Sequence, residues 1–206
     1  MKIIGITGIS GSGKTKVAAI LAKIGGYVVD ADLLAHSLMK KEGAAYDEIV
    51  ATFGKDILDL NKEINRAALG KVVFGNRDKL HKLEGILHPK VIQETKELIS
   101  DAKQSGKYKF AIIDAPLLIE AKMHKMCDST WLITANHEIR LKRIMIRDNI
   151  SIQNAEKRLS NRKGDEELML HADIVIENNV NFDELNEKVV MHLYNVIKQY
   201  GNDTIA

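Results

Sequence analysis

Gly8-Ile9-Ser10-Gly11-Ser12-Gly13-Lys14-Thr15 is the stretch on which the fold turns. It meets every position of the Walker A pattern, G-x-x-x-x-G-K-[ST]. Glycines let the backbone turn tightly and aim successive amides at phosphate oxygens. A helix starting at Lys14 adds its N-terminal amides and the positive end of its dipole. The Lys14 ammonium is a point charge for the β- and γ-phosphates, and the Thr15 hydroxyl can ligate magnesium. A chance glycine-rich turn is the plainer alternative, but this one sits where the motif requires it. Before it comes Lys2 to Thr7, β-branched and apolar on both faces, as a buried parallel strand is. After it comes a helix to Lys23 with Val17, Ala18, Ile20 and Leu21 inward, stopped by Gly25-Gly26. No G-x-G-x-x-G occurs, which excludes the dinucleotide fingerprint and leaves a mononucleotide triphosphate site.

Outward from the loop, Tyr27 to Asp30 reads as a second strand ending in acid. From Leu33 to about Gln104 the pattern is helical, with breaks expected at Gly43, Gly54, Gly75 and Pro89. Strand character returns at Tyr108 to Asp114, Ser129 to Thr134 and Asp173 to Glu177. Helices are expected over 137–149 and 182–200, with a charged helical segment over 151–170 between them. Strands alternating with helices mean an α/β fold with a parallel, doubly wound sheet. About seventy residues without a strand mean a helical insertion after the second strand.

Composition narrows the function classes. At 206 residues the chain can bury a core without a metal or disulfide staple, and 45% apolar with 28% charged residues excludes a disordered chain. A net charge of +2 speaks against a generic nucleic-acid binder, whose basic excess is larger and clustered. The single cysteine, Cys127, cannot form an internal disulfide, which fits a reducing compartment. No apolar run reaches membrane-span length and the N-terminus lacks a signal-peptide pattern, so a cytoplasmic location is expected.

Asp30-Ala31-Asp32 closes the second strand at the carboxyl edge of the sheet, where ligands bind in open α/β folds. A carboxylate there can orient an acceptor hydroxyl and take its proton; either aspartate could instead cap the following helix. Phe110-Ala111-Ile112-Ile113-Asp114 has the Walker B shape, whose acid reaches magnesium. His88, before Pro89, could contact the acceptor or simply cap a helix break. Arg140, Arg143 and Arg147 share one helix face, with Arg158 and Arg162 on the next segment. Such arginines suit a lid over a polyphosphate, or else form a solvated basic face.

Taken together these residues resemble the dephospho-coenzyme A kinase family nearly end to end. The resemblance runs through the phosphate loop, Asp30-Ala31-Asp32-Leu33-Leu34-Ala35, Asn65-Arg66-Ala67-Ala68-Leu69-Gly70 and Leu87-His88-Pro89. It continues through Asp114-Ala115-Pro116-Leu117-Leu118-Ile119-Glu120, the arginines at 143 and 147, and Ala172 to Asn178. It implies transfer of the ATP γ-phosphoryl group to the ribose 3′-hydroxyl of dephospho-coenzyme A. It also implies a three-layer core with a five-stranded parallel sheet (1–32, 108–135, 172–206), a helical acceptor subdomain (33–107) and a lid (136–171). Carried over by position, Asp32, Lys14 and Arg143 are catalytic. Gly8, Ser10, Gly11, Ser12, Gly13, Lys14, Thr15, Arg143 and Arg147 hold ATP, and Asp32, Arg66 and His88 hold the acceptor. Thr15 and Asp114 hold Mg2+. The small-molecule acceptor is the expected partner, with neither nucleic acid nor membrane, and the oligomeric state stays open. Departures from the family pattern are Ile9-Ser10 in the loop, His36 for a common arginine, Asn65 for a usual aspartate, and Arg162 for a glutamine. Two other readings stand beside this one: another P-loop kinase with a different acceptor, and a nucleotide-dependent switch. The Asn-Lys-x-Asp guanine signature of a regulatory GTPase is absent.

Overall fold

A computed structural model describes residues 1–160 and 165–201. The strands are β1 (Lys2–Thr7), β2 (Gly26–Asp30), β3 (Phe110–Asp114), β4 (Ser129–Thr134) and β5 (Ile174–Glu177). They form one parallel sheet in the order β2-β3-β1-β4-β5. The helices are α1 (Lys14–Lys23), α2 (Ala31–Leu38), α3 (Tyr46–Phe53), α4 (Arg66–Val73), α5 (Arg77–Gln104), α6 (His137–Asp148), α7 (Ile152–Ser160), α8 (Asp165–Met169) and α9 (Phe182–Gly201). Among the described residues no helix is long and apolar enough to cross a membrane.

β1 lies between β3 and β4, so the chain leaves it first toward one edge and later toward the other. That reversal is the switch point where open α/β sheets bind ligands beyond their strand ends. Registers Ile6↔Asp114 and Thr7↔Leu132 bring the ends of β1, β3 and β4 to one edge, with the phosphate loop directly after β1.

Period-two alternation explains how the sheet is covered. Ile4, Ile6, Phe110, Ile112, Trp131 and Ile133 pack with Val17, Ile20 and Leu21 of α1 and Leu185, Val189 and Leu193 of α9. Burying such a side chain fully is worth ~1.5–3 kcal/mol, so this one layer accounts for much of the driving force. The opposite face of β1 presents Gly5, where an added Cβ would come 2.7 Å from Leu118 and from the Cys127 sulfur. Burial pushes the Cys127 thiol up to about 12, with Asp128 and Asp173 adding to the rise, and its Sγ donates to the Met123 carbonyl at 3.5 Å. It is a packing residue rather than a nucleophile.

The chain divides into two units, Met1–Val29 with Ala102–Ala206, and Asp30–Asp101. In the second unit, Asn65 caps α4 by accepting from the Ala67 and Ala68 amides at 3.0 and 3.1 Å. Asparagine caps as well as aspartate, so this departure from the family pattern leaves the helix intact.

Two expectations fail. Pro89 does not break the chain, because α5 runs through it from Arg77 to Gln104. The missing N–H removes one bond, to the carbonyl of Gly85, while Ile86, Val91, Ile99 and Ala102 stay buried along the same helix. The third and fifth strands also begin later than expected, at Phe110 and Ile174. Tyr108 is exposed, and Asp173 uses its carboxylate to accept the Thr130 amide at 2.7 Å.

Candidate active site

The phosphate loop is built from positive-φ glycines and from close approaches that only glycine allows. Gly11 has φ +81°, and an added Cβ would lie 2.7 Å from the Arg140 carbonyl at the start of α6. Gly13 has φ +93°, and its Cβ would lie 2.0 Å from Asn178 Nδ2. A side chain at either position is therefore excluded twice, by conformation and by contact. The Ile9 carbonyl accepts the Ser12 amide at 3.2 Å, closing the turn, and α1 begins at Lys14.

Lys14 Nζ lies 2.5 Å from Asp114 Oδ1, joining the loop's lysine to the end of β3. Both side chains are nearly buried, at 14% and 7% exposure, so little solvent screens the pair. Thr15 is exposed in the first turn of α1. Ser12 is buried, so its hydroxyl faces inward.

Helix α6 lies against this loop and brings two of the expected arginines to it. Arg143 Nη1 donates to the carbonyls of Gly11 (3.2 Å) and Ser12 (3.4 Å). Its Nη2 donates to the Asn178 carbonyl (3.0 Å) and side-chain oxygen (3.4 Å). The guanidinium thus joins the loop's Gly11 and Ser12 carbonyls to Asn178. Arg147 Nη2 donates to Ser10 Oγ at 3.4 Å, and Asp148 accepts from Nε at 2.8 Å and from Nη2 at 2.9 Å. Asp148 also binds Arg158 of α7, so one carboxylate ties the two helices. These arginines hold the Asp148 carboxyl below the usual carboxylate range, the Arg147 hydrogen bond being the largest cause. Arg162 lies outside the described residues.

The residues expected around the acceptor belong to the second unit. Asp30 is the cap of α2, accepting the Leu33 amide at 2.9 Å, which leaves Asp32 exposed in the first turn with no capping duty. Asp32, Asp30 and Arg66 all act on His36: burial lowers its pKa most, Arg66 lowers it further, and the two aspartates oppose this. His88 is half-buried within α5.

Oxygen donors at Thr15 and Asp114 suit Mg2+, which takes one or two protein ligands beside phosphates and water. The ion pair with Lys14 turns the Asp114 carboxylate toward the loop.

One role escaped the sequence reading, in which Asn178 is only the last residue of the motif Ala172 to Asn178. Asn178 follows β5, is 2% exposed, and donates from Nδ2 to the Ser12 carbonyl at 2.7 Å. Nothing local gives its contacts, because its partners are 166 and 35 positions away.

Comparison with known proteins agrees with this geometry. The family model for dephospho-CoA kinase (CoaE) matches residues 2–184. A dephospho-CoA kinase from Fusobacterium nucleatum is 43% identical over 187 residues, covering 91% of this chain and 94% of that protein. One from Carboxydothermus hydrogenoformans is 38% identical over 190 residues, covering 92% of each. The solved dephospho-CoA kinase of Campylobacter jejuni superposes with TM-score 0.68 at 27% identity, over 97% of this chain and 100% of that one.

Proposed function

The chain belongs to the dephospho-CoA kinase family, and we propose that it transfers the ATP γ-phosphoryl group to the ribose 3′-hydroxyl of dephospho-coenzyme A. The product is coenzyme A, so the step closes coenzyme A synthesis. The observation that carries the nucleotide half is the Lys14–Asp114 pair at the loop. An arriving polyphosphate competes with Asp114 for the lysine charge, binds the loop amides, and sits at the N-terminus of α1.

Phosphoryl transfer has a loose transition state, so positioning and charge do most of the catalysis. Lys14 follows charge that builds on the transferring group. Arg143 holds the loop's shape through the Gly11 and Ser12 carbonyls, and we assign Arg143 and Arg147 to the phosphates of bound ATP, with Arg143 the catalytic one. We assign Thr15 and Asp114 to Mg2+, which would neutralise phosphate charge when bound. Asp32 is the group we assign to the acceptor hydroxyl: it accepts that hydrogen bond, orients the oxygen for in-line attack, and takes the proton as the new bond forms. Arg66 and His88 complete the acceptor side. Residues 33–107 then serve as the acceptor subdomain and 136–171 as the lid. The free thiol at Cys127 fits a reducing compartment, and we place the enzyme in the cytoplasm.

An acceptor panel tests the reading. ADP release should require dephospho-coenzyme A and stay at background with nucleosides, nucleoside monophosphates, shikimate and gluconate. Equal or faster release with any of these would replace the proposed acceptor.

A further inference from the structure

Asn178 has no assigned part in the reaction, yet it is 2% exposed and its side chain bonds directly to the phosphate loop. Its backbone amide donates to the Thr134 carbonyl at 2.8 Å, carrying the β4–β5 pairing one residue beyond the strands. That anchors its Cα on the sheet. Next to it, Asn179 and Asn136 bond reciprocally, at 2.7 Å to the Asn136 amide and 3.0 Å between side chains. The loops following β4 and β5 are thereby tied together, and Asn178 projects from a fixed base into the phosphate loop.

What it grips there is one particular peptide. The Ser12 carbonyl accepts from Asn178 Nδ2 at 2.7 Å and from Arg143 Nη1 at 3.4 Å. A trans peptide is planar, with its C=O and N–H pointing in opposite directions. Holding the Ser12 carbonyl toward Asn178 therefore turns the Gly13 N–H the opposite way. Gly13 sits at φ +93°, where a free glycine samples many alternatives, so the peptide needs an outside restraint to stay oriented. Two donors on one carbonyl also polarise the peptide and make its N–H a stronger donor.

We propose that Asn178 is a positioning residue: its side-chain amide, clamped on the Ser12 carbonyl, presets the Gly13 amide to bind the nucleotide's phosphates. The proposal rests on the phosphate-loop reading above. It predicts an effect on the nucleotide and none on the acceptor.

Asn178→Asp separates this role from its neighbours. It keeps the oxygen that accepts from Arg143 and removes the N–H2 that donates to Ser12. Asn178→Ala removes both. Kinetics on both substrates, calorimetric titration with ADP and melting of the ligand-free protein are measured for each variant, with Lys14→Ala beside them. In both Asn178 variants KM for ATP and the ADP dissociation constant should rise about tenfold or more. KM for dephospho-coenzyme A should stay within about twofold, which a general loss of packing would not respect. Parental ADP binding in Asn178→Asp with weak binding in Asn178→Ala would mean that Asn178 only holds Arg143, and would overturn the proposal. Parental binding in both, or an equal rise in both KM values, would overturn it as well. Should Asn178→Asp not fold, Asn178→Ser, uncharged and too short to reach Ser12, carries the test with the same expected rise and the same refutation. Lys14→Ala distinguishes the two levels: unchanged ADP binding there overturns the phosphate-loop reading itself. Loss there beside parental Asn178 variants overturns the clamp alone.

Discussion

Lys14 is the one charged side chain in the loop from Gly8 to Thr15, and Asp32 is the carboxylate of its pair left free by the cap at Asp30. Each makes its own kinetic prediction. Lys14→Ala removes charge stabilisation of the transferring group and should lower turnover by about three orders of magnitude; a steady-state rate within tenfold of the parent would contradict that. Asp32→Asn keeps the side chain's size and removes its charge and most of its basicity. Turnover should fall by roughly two to four orders of magnitude while ATP affinity and thermal stability stay near parental. Because Asp32 caps nothing, a large loss of stability in that variant would also be unexpected. Survival of activity would pass the acceptor-orienting role to another carboxylate.

Among the elements, those fixed by local pattern were the legible ones. β1, the loop and α1 are written in adjacent residues: an apolar β-branched run, glycines, then an amphipathic helix. Arg140, Arg143 and Arg147 do share one face of α6, as their spacing requires. What they touch is decided by parts of the chain far away in sequence, so the Arg143 contacts to Gly11, Ser12 and Asn178 were out of reach of pattern reading. The role of Asn178 was illegible for the same reason. Pro89 misled in the other direction, since a local breaker was overruled by burial on both sides of it along α5. The helix should therefore still carry the proline's penalty. Pro89→Ala restores one N–H and should raise stability by about 1 kcal/mol or more, read as a higher urea midpoint at unchanged slope. A lower midpoint would mean that the proline fixes a bend the fold requires.

For the whole molecule, the proposed roles are divided between two units, and a titrating histidine in each makes stability a common property of both. Burial lowers the pKa of His36 in one unit and of His192 in the other, with Arg66 adding to the effect at His36. The unfolded chain protonates these residues first, at the ordinary value of about 6.5. Stability from keeping them neutral is therefore present above that pH and is lost as pH falls through it toward the lower folded values. The urea midpoint should fall between pH 7.5 and pH 5.5; a flat or rising midpoint would contradict the buried-neutral assignment. Activity, in contrast, turns on one chemical event, the movement of a phosphoryl group to a named oxygen. The direct measurement is to incubate the protein with dephospho-coenzyme A and ATP labelled at the γ-phosphorus, and to find where the label goes. One labelled product should appear, co-migrate with coenzyme A and surrender its label to a phosphatase specific for ribose 3′-phosphates. Label appearing only as free phosphate, or on a product resistant to that phosphatase, would contradict the proposed transfer.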